Sequence, residues 1–213
     1  YKERQDLIID KVADPAVFSR YVFDNILPEK LPVQNKKVGI FIIRAKAFTA
    51  NKIDFTWEQA AQMWVDLLSE MDARGIDYEL LTSGHFGDEA FMDRLIREYQ
   101  VPASKCNFHI SKPEDLILAI ADCNAVICCR LHPSIISYSL GVPSVSLVWN
   151  PKVRGFYSSI GKINRTIEAT DASPELIINK LEDAMQEGVE HDIDYMMSVY
   201  RGIYTSLKDI FGD

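Results

Sequence analysis

The chain has 213 residues, 47% of them hydrophobic, with 23 basic against 31 acidic side chains and a formal charge of -8. That length suits one large domain or two small ones, with enough apolar content for a substantial core. The acidic balance argues against binding nucleic-acid backbones or anionic lipid over a broad face, and no apolar run reaches the ~18 residues of a membrane span.

Residues 1–36 read as a connector. Leu7-Ile8-Ile9 is a short apolar run, and Asp14-Pro15 opens a helix-like stretch, with Asp14 as N-cap and Pro15 at the first helical position. Leu27-Pro28 and Leu31-Pro32 then break any helix. A regular alternation follows over residues 37–190. A strand runs from Val38 to Ile43 and closes at Arg44; a helix over 56–74 is stopped by Gly75; a second strand spans Tyr78 to Leu81. The loop Ser83-Gly84-His85-Phe86-Gly87 leads to Asp88, which is placed to cap a helix through Tyr99. Asn107 to Ile110 reads as a short strand, and Ser111 with Glu114 has capping-box spacing for a helix through Ala121. Ala125 to Cys129 is a strand, Arg130-Leu131-His132 a turn, Pro133 to Leu140 a helix ended by Gly141, and Ser144 to Val148 a further strand. A loop with a short helical piece over 150–162 precedes a last strand, Arg165 to Glu168. Ser173-Pro174-Glu175 opens a helix through Glu187, and residues 191–213 hold a final amphipathic helix from about Asp192 to Phe211. The strands are short and apolar throughout, as in a parallel sheet covered on both faces. The fold class is therefore α/β, a doubly wound, Rossmann-like parallel sheet.

In such sheets ligands bind beyond the carboxyl ends of the strands. That rule alone selects Arg44, His85, Asp88, Arg130, His132, Asn150, Lys152 and Arg154. Several cations along one edge of an acidic protein point to an anionic small molecule. Arg130 can grip a carboxylate or phosphate in a bidentate pair. His132 lies at the start of the next helix, where free amides favour an anion and an imidazole can exchange a proton. The competing reading is a buried salt bridge for Arg130 and a capping role for His132. Arg44 has the same two readings, and Asp88 reads first as a cap. His109 and His191 carry no motif. No GxGxxG, GxxxxGK[ST] or GxSxG is present, so dinucleotide, P-loop and hydrolase-elbow readings lack support. The four cysteines, Cys106, Cys123, Cys128 and Cys129, form no CxxC pair and no zinc-ligand spacing. They read as buried thiols of a reducing compartment, hence a cytoplasmic protein with no metal. The chain begins without Met and is expected to be a piece of a longer protein.

Three stretches together carry a resemblance: Val126-Ile127-Cys128-Cys129-Arg130-Leu131-His132, Ser139-Leu140-Gly141-Val142-Pro143-Ser144-Val145, and Lys152-Val153-Arg154-Gly155-Phe156. An apolar strand, an RxH turn, a G-x-P helix end, a further strand and a K-x-x-G-F loop resemble the polysaccharide pyruvyl transferase family. Arg44 at the end of its strand and Asp14-Pro15 upstream fit the same pattern, which covers most of residues 10–162. The resemblance implies the C-terminal lobe of a two-lobed enzyme similar to B-type glycosyltransferases, the final helix packing back or toward an N-terminal lobe. It implies pyruvate transfer from phosphoenolpyruvate onto two hydroxyls of a glycan or lipid-linked sugar as a cyclic ketal, with no further cofactor. By that resemblance His132 is the acid/base and Arg130 and Arg44 hold phosphate and carboxylate. Lys152 is then a secondary contact, with Asp88 and His85 beside the substrate. A nucleotide-sugar glycosyltransferase of the same architecture is the rival, weakened because 133–140 offers no carboxylate for a ribose. A non-catalytic lobe that binds a glycan or a partner is the third reading.

Overall fold

A computed structural model describes residues 13–28 and 37–212. The expectations for Leu7-Ile8-Ile9 and Leu31-Pro32 lie outside them. Asp14 does cap a short 3-10 turn, Pro15–Phe18, accepting from the Ala16 amide at 2.9 Å, and α1 (Ser19–Val22) continues from it.

Five strands form one parallel sheet: β1 (Val38–Phe41), β2 (Tyr78–Leu81), β3 (Ala125–Cys128), β4 (Ser144–Val148) and β5 (Thr166–Glu168). Their spatial order is β2-β1-β3-β4-β5, so the chain reverses its direction of winding between β1 and β3. Both faces are covered, which is why β1 and β3 carry no polar alternation; in β4 the buried Ser146 hydroxyl donates to the Cys128 carbonyl instead of to water. After β1 come α2 (Lys46–Ala50) and α3 (Trp57–Ala73), the latter opened by a reciprocal Thr56/Gln59 capping box. The remaining helices are α4 (Phe86–Tyr99), α5 (Pro113–Ala121), α6 (Leu131–Leu140), α7 (Pro151–Ser159), α8 (Pro174–Glu187) and α9 (Ile193–Phe211).

Trp64, Leu67 and Met71 of α3 and Ile177, Ile178 and Leu181 of α8 pack on one face, against Ile40, Leu80, Ile127 and Val145. On the other, Ile117 and Ile120 of α5 with Ile136 and Leu140 of α6 meet Phe41, Leu81, Val126 and Cys128. A third cluster joins α6, α7 and α9 through Tyr138, Phe156, Tyr157, Met196 and Val199, with Val17 of the first turn. The outer side of α9 presents Met197, Tyr200, Tyr204, Leu207 and Phe211 to solvent. No helix among the described residues is long and apolar enough to cross a membrane.

Several local expectations are corrected. Residues 107–110 form no strand: one bridge links Cys106 to Leu80, then the Asn107 side chain accepts from the His109 amide and turns the chain away. Asp115, not Glu114, closes the start of α5, accepting from the Ser111 and Lys112 amides. Helix α6 begins at Leu131, since Pro133 still lies in a first turn that needs no amide donor. Most of 150–162 is helical, because Asn150 caps α7 through the Lys152 amide at 2.9 Å and Pro151 sits at the first position.

All four thiols are free. Burial pushes Cys106 up to about 11, Cys123 and Cys128 up to about 12, and Cys129 well above the ordinary thiol range. Thiolate is therefore scarce near pH 8 in the folded protein. Alkylation followed by mass spectrometry should label half-exposed Cys106 slowly and leave the other three unmodified until denaturant is added. Rapid native labelling of Cys128 or Cys129 would contradict this packing.

Candidate active site

The reversal between β1 and β3 opens a crevice at their carboxyl ends, the usual ligand position in open α/β sheets. Arg44 and Arg130 follow those two strands. Their side chains converge on one carboxylate, that of Asp88 in the first turn of α4, the helix after β2. Asp88 Oδ1 accepts from the Arg44 amide at 3.1 Å and from Arg44 Nη1 at 3.2 Å. Asp88 Oδ2 accepts from Arg130 Nε at 2.8 Å and also from Arg130 Nη2. The Asp88 side chain is 0% exposed, while Arg44 keeps 33% and Arg130 19%. Burial of this charge is tolerable because every contact is a charge-assisted hydrogen bond and the α4 N-terminus adds a favourable dipole. Two cations around one anion leave the cluster net positive, with both arginine side chains partly exposed.

Asp88 is thus not the cap of α4, as the sequence placed it. His85 is: its Nδ1 accepts from the Gly87 amide at 3.0 Å. Arg44 Nη1 lies 3.2 Å from the same Nδ1. A Cβ at position 87 would sit 2.9 Å from Arg44 Cδ, so Gly87 is what lets the arginine lie along the helix start. Gly84 has φ +78°, and a Cβ there would stand 2.9 Å from the Ile110 carbonyl oxygen. The glycines of this loop therefore have two separate reasons.

Trp149, which the sequence reading passed over, closes the crevice on the β4 side. Its Nε1 donates to the Cys129 carbonyl, and its ring centre lies 5.9 Å from the Arg130 guanidinium carbon. The signal available in the sequence was its place directly after Val148. Asn150 turns to Asn51, its Nδ2 donating at 3.2 Å.

His132 does not join the arginine cluster. Its side chain is 65% exposed and its Nε2 stands 3.4 Å from Asp14 Oδ2, in the connector. It borders a groove of about 320 Å³ with Ser83, Gly84, Ser111, Lys112 and Leu116. Beyond its cap and its place in the family pattern, the contact of Asp14 with His132 needs the chain to fold back over α6. Lys152 is exposed in the first turn of α7. Arg154 instead pairs with Glu168 at the end of β5. Among the described residues no three of His, Cys, Asp or Glu gather as metal ligands.

A comparison with curated proteins gives no match. The family model for polysaccharide pyruvyl transferase matches residues 7–151, more than half of the chain. The matched span holds β1 to β4, both arginines, Asp88, His132 and Asp14, and ends as α7 begins, so Lys152 and the K-x-x-G-F stretch fall outside it. On that match, the chain belongs to the polysaccharide pyruvyl transferase family.

Proposed function

We propose that this domain binds phosphoenolpyruvate in the crevice between β1 and β3 and takes part in transferring its pyruvyl group to two sugar hydroxyls as a ketal. Family membership supports a pyruvyl-transferase role in polysaccharide synthesis. The observation that carries the finer reading is the pair of guanidiniums, Arg44 and Arg130, fixed on one buried carboxylate with both side chains partly exposed. Phosphoenolpyruvate carries its carboxylate and its phosphate ester oxygen on the same carbon, so its two anionic groups lie close together and suit two planar cations. His85 and Lys152 are secondary contacts at the rim.

In this scheme the donor lies with its methylene toward the groove that His132 borders, and His132 gives a proton to that methylene, which becomes a methyl group, while the first sugar hydroxyl bonds to the neighbouring carbon. The second hydroxyl then displaces phosphate from that carbon, breaking its bond to the bridging oxygen. Of the two hydroxyl protons released, one returns to the imidazole and the other leaves with phosphate. With Nε2 facing Asp14 at 3.4 Å, the scheme uses Nδ1 for exchange. The exposed apolar side of α9 is the surface on which a second lobe would rest. The test is calorimetric titration of the purified chain with phosphoenolpyruvate and, separately, a nucleotide sugar. Saturable heat with phosphoenolpyruvate alone is expected. Binding of the nucleotide sugar instead would transfer the assignment to glycosyl transfer.

A further inference from the structure

Asp88 is the acidic group that both crevice arginines contact among the described residues, and its position is unlike that of a ligand contact. It is fully buried, and its two oxygens are divided between two arginines that follow different strands. Oδ1 takes both the main-chain amide and Nη1 of Arg44, so the backbone leaving β1 is pinned along with the side chain. Oδ2 takes Nε and Nη2 of Arg130, an edge-on pair that fixes the plane of that guanidinium. One carboxylate therefore ties the ends of β1 and β3 together and sets the distance between the two cations. Asp88 itself is held by α4, its amide donating to the His85 carbonyl at 2.8 Å.

We infer that Asp88 is a positioning residue that makes the Arg44–Arg130 pair selective for a ligand with two anionic groups over a single anion. The inference rests on reading this crevice as the donor site. Like charges held close spread apart when the charge between them is removed, and long arginine side chains then sample many rotamers. A ligand that needs both guanidiniums at once loses that preorganisation. A lone phosphate needs only one and gains from the higher net positive charge. Charge alone predicts tighter binding of every anion without Asp88, whereas positioning predicts opposite changes for the two kinds.

The experiment compares the chain with Asp88→Asn, titrating phosphoenolpyruvate and inorganic phosphate by calorimetry and following the Arg130 Nε–H resonance by NMR. The wild-type chain should bind phosphoenolpyruvate at least about tenfold tighter than phosphate or pyruvate, a requirement that does not depend on any variant folding. In Asp88→Asn, phosphoenolpyruvate should weaken about tenfold or more, phosphate should stay level or tighten, and the Nε–H signal should broaden through solvent exchange. Parallel tightening of both anions would overturn the inference and leave Asp88 a counter-charge. So would unchanged affinities with an unchanged resonance, or equal wild-type affinity for phosphoenolpyruvate and phosphate. If the wild-type chain binds no phosphoenolpyruvate, the donor reading falls by itself. The Nε–H resonance then decides separately whether Asp88 holds the arginine: broadening in the variant sustains the positioning role, and a sharp signal removes it.

Discussion

Arg130→Ala should abolish measurable binding of phosphoenolpyruvate and lower pyruvyl transfer by about a hundredfold or more, the usual scale for losing a charge-stabilising donor at a reacting group. It should also destabilise the fold. Breaking a buried ion pair by removing one partner costs about 3–5 kcal/mol, because the surviving charge stays buried without full compensation. The expected loss lies at the low end of that range, since Asp88 keeps the Arg44 amide and Nη1. Urea unfolding followed by far-UV circular dichroism checks this part, and calorimetry checks the binding. Arg130→Lys separates the two effects. An ammonium supplies charge to Asp88 but cannot reproduce the Nε/Nη2 edge and still present a second edge outward. Most stability should return while binding stays weak. Full recovery of binding by lysine would mean that charge alone, without guanidinium geometry, defines the site.

His132→Gln should do the reverse: little effect on stability or on phosphoenolpyruvate binding, and a fall in turnover of about 10²–10⁴, the range for removing a general acid–base group. The side chain is 65% exposed and, among the described residues, the ion pair it gives up is the 3.4 Å contact to Asp14, so no core packing is disturbed. Asp14→Asn should produce a smaller fall, because the imidazole remains but loses the carboxylate that orients it. The readout is the initial rate of phosphate release in the presence of the acceptor glycan, across pH. A His132→Gln protein with wild-type turnover would remove the acid–base assignment while leaving the arginine clamp intact. Loss of phosphoenolpyruvate binding in the same variant would place His132 in donor recognition rather than proton transfer.

Much of this arrangement was readable before any coordinates. Apolar strands without alternation require a sheet buried on both faces, and short strands separated by helical stretches require a parallel one. Caps such as Thr56, Ser173 and Asp192 act on amides within three residues of themselves, so the sequence places those helix starts. The same local logic failed at Asp88. A carboxylate after a glycine-rich loop has the appearance of a cap, yet His85 takes that place because its ring reaches the Gly87 amide. Asp88, one helical turn further in, is drawn instead to cations 44 and 42 residues away in the chain. The strand expected at 107–110 failed for a related reason: a β-prone run becomes a strand only if a neighbour's edge is open along its length, and the pairing ends after the Leu80–Cys106 bridge.

By itself, then, the sequence determined the fold class, most helix boundaries and the set of loop residues at the carboxyl edge, since each follows from contacts among near neighbours or from a repeating pattern. Only the tertiary structure decided that Arg44 and Arg130 share Asp88, that Trp149 flanks them and that His132 stands apart with Asp14. Those pairings join strands and loops far apart in the chain, and the winding reversal between β1 and β3 brings their ends to one crevice.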